Sequence, residues 1–420
     1  MKKKINHILP ALVLTASLGL TTVSCNGFLD EMPDNRTELN TDQKIAKLLV
    51  SAYADVSPNE LFELYSDNSD DSGPTYGYYK LSEQECYHWQ DTKEEYQDTP
   101  NSLWGGYYSA IAAANMALNA IEEKGNPASL DPQRGEALVC RAYCHFMLAN
   151  IFCNAYDTHA SQSLGVPYME EVETTVSPRY ERGTLEEVYR KVERDLLEGI
   201  DLISDDSYSV PKYHFTRKAA YAFAARFYLY YMKPDFSNCD RVIDFATRVL
   251  GTNPADLLRN WEALGNLSVN GNVQADAYIA SSNEANLLIS STVSNWGAIG
   301  SDYLIGPRYF HNQTLATSET CLSSGLWGSS DYFYLKPFST NGFVASILRK
   351  SGLYEGTYLY YMPVLFSTDE TLLCRAEAYA LKKMYAQSAA DITSWQRAYT
   401  RNKSVLTPEQ INTYYDLSLI

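Results

Sequence analysis

One short pattern occurs three times in the chain: Cys140-Arg141-Ala-Tyr143-x-His145-x-Met147, Ala225-Arg226-Phe-Tyr228-x-Tyr230-x-Met232 and Cys374-Arg375-Ala-Glu377-x-Tyr379-x-Leu381. Around its first copy Ala137, Cys140, Cys144, Leu148 and Ile151 step by three and four, the spacing of one helix face. A small residue, an Arg and a bulky residue at fixed offsets imply one packing unit reused. Helical-repeat scaffolds are built in this way, because each helix buries its face only by stacking on its neighbours. Arg141, Arg226 and Arg375 are accordingly read as structural. An Arg on a packed helix buries its stem and pairs its head with a carboxylate or a free carbonyl, and ligand contacts are rarely triplicated.

The rest of the chain supports that reading for most of its length. Helical periodicity starts near Asp42 with Ile45, Leu48, Leu49 and Ala52. Trp104, Tyr108, Ile111, Asn115 and Leu118 mark an amphipathic helix that Gly125-Asn-Pro127 ends, and with residues 137–152 it makes a helix hairpin. Thr184-Leu-Glu-Glu187 fits a capping box, followed by the stripe Leu185, Val188, Val192, Leu196 and Ile200. Residues 215–232 are expected to pack back on that helix, and Asp240 to Leu250 supply another. Helix returns near Leu372 and again from Ala389 to Tyr399. Two stretches break the pattern. Residues 74–100 read as a loop crowded with Tyr76, Tyr78, Tyr79, Tyr87 and Trp89. After Trp261 the periodicity fails, and to about residue 360 come Gly, Ser, Asn and aromatic residues with β-prone runs such as Leu287–Val293. An irregular stretch that long is usually functional.

The expected fold class is therefore mostly α: a tetratricopeptide-like helical-repeat (α-α superhelix) scaffold with irregular, loop-rich insertions. The expected divisions are a lipoprotein signal peptide at 1–24, a tether at 25–40, a scaffold with an N-terminal loop excursion at 41–260, a ligand-binding insertion at 261–360, and final repeat helices at 361–420.

The signal peptide rests on Lys2-Lys3-Lys4 followed by an apolar run from Ile8 to Leu20, too short to span a bilayer. Thr-Thr-Val-Ser-Cys25 after it looks like a bacterial lipoprotein cleavage site, making Cys25 the site of lipid attachment, with several acyl chains giving a stable anchor. Thr22 stands where Leu is usual. Seven cysteines remain, an odd number with no Cys-x-x-Cys spacing, which excludes a fully paired framework. Cys140, Cys144, His145, Cys153 and His159 could be imagined as a metal site, but Cys140 and Cys144 fall on the buried face, where small thiols serve as core. Asp67, Ser69 and Asp71 alternate as in a calcium loop, yet Ser72 and Tyr78 stand where Gly and Glu are needed. No metal and no cofactor are expected. The formal net charge of −17 becomes about −20 once the three leader lysines leave, and it disfavours nucleic acid as a partner.

Catalytic signatures are absent: no His-Glu-x-x-His, Gly-x-Ser-x-Gly, Gly-x-Gly-x-x-Gly or Gly-Lys-Ser/Thr. The acid pairs Glu170-Glu171 and Asp205-Asp206 are sequence neighbours, which says nothing about two carboxylates facing each other across a sugar. The chain is not expected to be an enzyme.

In order along the sequence stand Cys25-Asn-Gly-Phe-Leu-Asp30, Trp104-x3-Tyr108-x2-Ile111-x3-Asn115, and Glu136-Ala-x3-Arg141-Ala-x-Cys-x-Phe146 leading to Gly165-Val-Pro167. Arg182-Gly-Thr-x-Glu-Glu187-Val-Tyr189-x4-Asp195-Leu196, Thr216-x2-Ala219-Ala220-x4-Ala225-Arg226 and Arg375-Ala376-Glu377-Ala378 follow. This ordered set resembles the SusD/RagB family of outer-membrane nutrient-binding lipoproteins over nearly the whole chain. The resemblance implies four tetratricopeptide-like helix pairs supporting irregular ligand-binding excursions. It also implies a place at the cell surface, capping a SusC-like TonB-dependent transporter and capturing glycans or, in some branches, peptides. The chain is short for the family, with an abbreviated excursion before its third copy and a brief C-terminal region.

Sugar rings present C–H faces that stack on Trp and Tyr, while Asn, Asp and Arg take the hydroxyls. The chain has 34 Tyr against 14 Phe, and aromatic residues on long loops are the place to look. The expected ligand contacts are Trp89, Trp296, Tyr303, Tyr309, Trp327 and Tyr332, with Asn295 and Arg308 as polar partners. Trp296 and Trp327 are each followed by Gly, which lets the backbone turn and the ring stand out. Trp104, Trp261 and Trp395 are assigned to helix packing. The alternatives are a peptide-binding member of the same family, a periplasm-facing helical-repeat adaptor, and a lipoprotein glycoside hydrolase.

Overall fold

The helices form where capping chemistry and apolar spacing agree. The computed structural model describes residues 39–75, 80–175, 178–268, 273–295, 308–310, 315, 325–326, 328, 332–335, 338–339, 342–343, 354–355 and 358–415. The expectations for Cys25, Trp296, Tyr303 and Trp327, and for the leader, lie outside those residues. Helix α1 (Asp42–Leu49) starts on Thr41, whose side chain accepts from the Lys44 N–H. After α2 (Asn59–Leu64) and α3 (Leu81–Tyr87) come the long α4 (Pro100–Glu123) and α5 (Asp131–Phe152). Then follow α6 (Leu185–Leu202), α7 (Arg217–Tyr230), α8 (Asn238–Leu250), α9 (Trp261–Gly265) and α10 (Val273–Ile279). The chain closes with α11 (Thr368–Leu381), α12 (Tyr385–Tyr399) and α13 (Pro408–Tyr414). The capping box read at α6 is present: Glu187 N–H donates to Thr184 Oγ1 at 3.2 Å and Thr184 N–H to Glu187 Oε2 at 2.9 Å.

The stacking is sequential, α4 on α5 on α6, then α7 on α8 on α11 on α12. Helix α7 meets α6 through the Tyr228 hydroxyl on Glu193 (2.7 Å) and the stacked rings of Tyr189 and Phe227, but its broader packing is against α8. Every residue of α5 from Gly135 to Ala149 is buried, which makes it the axis of the scaffold; its apolar residues pack on all sides, and the polar Glu136, Arg141 and His145 are buried with hydrogen-bond partners. It crosses α6 where Gly135 faces Gly199. A Cβ built on either would stand 2.7 Å from the other's carbonyl oxygen, so the two backbones approach as only glycine allows.

The three repeated arginines occupy α5, α7 and α11 and fasten these layers. Arg141 donates through Nε to Asp195 of α6 at 2.6 Å and through Nη1 to Asn115 of α4 at 3.0 Å. Arg226 grips Glu370 of α11 with two N–H groups at 2.5 and 2.6 Å and reaches the Leu365 carbonyl. Arg375 forks Asp391 of α12 at 2.8 and 2.9 Å and donates back to the Gly251 carbonyl at the end of α8. Each head thus joins its own helix to a later carboxylate.

The strands are short. They are β1 (Asp70–Asp71), β2 (Asn286–Ile289), β3 (Thr292–Val293), β4 (Tyr309–Phe310), β5 (Phe338–Ser339), β6 (Gly342–Phe343), β7 (Tyr354–Glu355), β8 (Tyr358–Tyr361) and β9 (Val364–Ser367). All pairings are antiparallel: β1 with β4, β2 with β9, β3 with β8, β7 with β8 and β5 with β6. Two expectations are corrected. Residues 74–100, read as loop, contain α3, and the stretch after Trp261 contains α9 and α10. Each has only 5 to 7 residues, too short for a 3.6-residue period to emerge. Among the described residues, six of the seven cysteines beyond Cys25 are present and all are free, with Cys140 and Cys144 buried as core. No helix there is long and apolar enough to cross a membrane.

Candidate functional site

Helix α3 ends in a way that aims a Trp outward. Trp89 N–H bonds the Cys86 carbonyl at 2.9 Å and Gln90 N–H bonds that of Glu85 at 2.8 Å, the paired closure of a Schellman turn. The turn needs a left-handed residue at Trp89, and its φ is 54°. Glycine is the usual occupant; a bulky side chain there costs about 1–2 kcal/mol. The strain is retained, and its product is a ring 72% exposed. One face of that ring lies on Tyr65 (centroids 4.5 Å apart, planes 16° apart) and the other is open. Burial pushes the Tyr65 hydroxyl up to about 12, with Cys86 next in effect, so the supporting ring stays neutral at physiological pH.

Around this platform the fold gathers residues far apart in sequence. Tyr309, carried by β4, is 3% exposed and stacks on Tyr87 at 4.6 Å, with the edge of His88 6.0 Å away. Arg308 forks Asp71 on the neighbouring β1 at 2.5 and 2.6 Å, and that hydrogen bonding holds the Asp71 carboxyl below its ordinary range. Asn295 is bound from the other side: its N–H donates to Asp98 Oδ2 at 2.8 Å and its side-chain oxygen accepts from Gln97 at 2.9 Å. Asp98, itself left-handed with φ 70°, belongs to a buried acidic group with Glu60 and Glu83. Burial raises the pKa of all three, and the neighbouring carboxyl raises that of Glu60 further. Tyr332 stands apart, 44% exposed, with its carbonyl accepting from Arg401 N–H beyond α12. Thus Tyr309, with Arg308 beside it in the chain, is brought against Tyr87 and His88, the two residues that precede Trp89; Asn295 is tied to the loop that precedes α4, and Tyr332 is placed elsewhere.

A cavity of about 350 Å³ lies between α2, α5 and the turn joining β8 to β9. Its aromatic lining includes Tyr53, Phe62, Tyr107, Tyr143 and Tyr361, and Arg226 reaches it as well. Tyr53, Ala54 and Ser290 separate it from an adjoining groove of about 460 Å³. The Tyr53 hydroxyl is pinned, donating to Glu136 Oε1 at 2.7 Å and accepting from Phe215 N–H at 2.7 Å. Glu136 also holds His214 Nδ1 at 2.7 Å. Sequence reasoning missed this cavity and the role of Tyr65. Phe62 and Tyr65 do carry an i, i+3 signal, but helix α2 is a single short piece, and Tyr361 lies some three hundred positions further on.

Residues 27–229 match the SusD-like family model described as starch-binding, associating with outer membrane. A comparison with curated protein sequences finds no match. In three dimensions the chain is similar to a Bacteroides vulgatus protein assigned to sugar binding, with 21% identity and a TM-score of 0.63 over 90% of this chain and 83% of that one. A SusD superfamily protein from Bacteroides fragilis matches with 15% identity and a TM-score of 0.65 over 90% and 85% of the two chains. Surface glycan-binding protein A from Bacteroides uniformis matches with 14% identity and a TM-score of 0.60 over 89% and 84%.

Proposed function

We propose that this chain is SusD-like, that it captures glycan at the outer membrane on the open face of Trp89, and that it hands the glycan to a SusC-like TonB-dependent transporter. The observation that carries the reading is the strained Trp89. The stack on Tyr65 occupies one face of the ring and leaves the other in water, in a conformation that favours glycine, whereas a sugar face gains a rigid stacking partner already backed by Tyr65. The Arg308–Asp71 pair beside it offers a donor edge and an acceptor edge for hydroxyls. We include Asn295 and Arg308 in the contact set, together with Trp296, Tyr303 and Trp327 from the stretch outside the described residues; Tyr332, held beside Arg401 away from the platform, is left out. Tyr309 is left out, because its ring is spent on Tyr87. The protein binds and does not turn over its ligand; Cys25 carries the lipid, and the scaffold faces outward from the cell.

Affinity electrophoresis through gels containing soluble starch or other glycans tests the reading. Retardation of the wild type, lost in Trp89→Ala with unchanged helicity by circular dichroism, is the expected result. A Trp89→Ala variant retarded like the wild type would remove the platform from the site. Co-purification of a large β-barrel protein from detergent-solubilised outer membrane tests the partner, and digestion by protease added to intact cells tests the orientation.

A further inference from the structure

We propose that the cavity behind Phe62 receives the terminal unit of the oligosaccharide, so that this protein recognises its ligand by a chain end. The inference rests on the glycan-capture reading and adds to it where the chain begins. Phe62 lines the cavity and is 40% exposed, which places it at the mouth. Tyr65, the residue supporting Trp89, follows it by three positions in the same helical turn. Residues three apart lie on one helix face about 4.5 Å apart along the axis, close to the advance of one pyranose along a chain. Tyr65, behind the platform, and Phe62, at the mouth, are therefore neighbours on α2, and the path into the cavity starts beside the platform.

The path is blocked at its inner end. Cys140, Tyr143 and Met147 of the buried α5 form the floor, and the side towards the adjoining groove is closed by Tyr53, fixed at its hydroxyl by Glu136 and Phe215. A polymer can enter but cannot pass through, which admits a terminus and excludes an internal segment. The lining also sets the chemistry. Its charged group, Arg226, is neutralised by two hydrogen bonds from its head to Glu370, so the cavity does not select an anion. Aromatic faces alternate with the polar groups of Ser57, Asn59, Thr292 and Tyr107, the mixture a neutral pyranose needs. The Tyr107 hydroxyl has no hydrogen-bond partner among the described residues and is available to the guest. At about 350 Å³, the space is at the lower end of the roughly 300–1,000 Å³ typical of small-molecule sites, suited to one or two sugar units.

The test compares maltoheptaose with β-cyclodextrin, its closed-ring counterpart without ends, by isothermal titration of the full chain. Wild type should bind the linear glucan about tenfold more tightly than the ring. Phe62→Ala, at an exposed position, and Tyr107→Phe, which removes a hydroxyl the fold does not use, should weaken linear binding about three- to tenfold. Both should leave ring binding unchanged, with thermal midpoints confirming that the variants are folded. Asn59→Trp, placing a ring in the mouth, should bring linear affinity down to that of the ring. Equal affinity of wild type for both ligands would overturn the inference, as would variants that weaken both alike. If Trp89→Ala loses both ligands while the cavity variants change neither, capture on the platform stands and end recognition falls. If wild type binds neither glucan, the inference falls together with a glucan reading of the site.

Discussion

Trp89 separates the cost of a conformation from its use. Its left-handed backbone favours glycine, so Trp89→Gly should be more stable than Trp89→Ala by about 1 kcal/mol, read from urea midpoints, while both lose glycan. Equal stability of the two would show that the turn carries no strain. Two buried titratable groups give opposite pH signatures. His145 is fully buried and stacks on Tyr168, bonding the Arg141 carbonyl through Nδ1 at 2.9 Å and accepting from Met169 N–H at Nε2. Burial lowers its pKa to about 3. The unfolded chain binds that proton near the ordinary value of 6.5, so folding stability should fall by about 1.4 kcal/mol per pH unit as pH drops from 6.5 towards 3. His145→Gln should remove that component from a pH series of urea melts. Glu60 runs the other way. Its folded pKa is raised, so its contribution is present at low pH and is lost as pH rises above 4.5. Glu60→Gln should raise the melting temperature at pH 8 and leave it unchanged at pH 4. At this scale the sequence exposed only part of the proposed site. An isolated Trp in a polar stretch announces itself, but that Tyr65 would lie under it, and that Tyr309 would turn inward onto Tyr87, are pairings between segments no local pattern encodes.

Among the elements, the repeated arginines were legible because the same physical demand recurs in three helices. What the sequence could not reveal is the identity of their partners, since Asp195, Glu370 and Asp391 are scattered among many acidic residues. The Arg141–Asp195 pair is buried, with 7% and 1% of the two side chains exposed. Removing Asp195 leaves the buried Arg141 head without its anion, so Asp195→Asn should cost about 3–5 kcal/mol; Arg141→Met should cost less, because Asp195 keeps Arg194 at 2.7 and 3.0 Å and the Tyr168 hydroxyl. The double variant should cost clearly less than their sum, and additivity in urea melts would argue that the pair does not fasten α5 to α6. Helix α3 illustrates the opposite case. Seven residues with mixed polarity give no period, and it is held by its contacts: Glu83 accepting from Lys80 N–H at 3.2 Å and Glu85 accepting from Lys93 N–H at 2.9 Å.

For the whole molecule, the helical scaffold was readable from end to end because its stability comes from faces that repeat. The proposed ligand side was not, because it is assembled from α2, α3, β4 and the β8–β9 turn, whose neighbours in space are hundreds of positions apart in the chain. The arginine fastenings carry a further implication about autonomy. The matched family segment ends at residue 229, inside α7 and just past Arg226, whose counter-charge Glu370 and acceptor Leu365 arrive only later. A fragment comprising residues 27–229 would retain a guanidinium with no anion to meet it and one flank of α7 stripped of α8 and α11. Such a piece should not survive excision as an independent unit, and insertions that lengthen the intervening 140 or so positions are tolerated only while they return the same carboxylate to the same place.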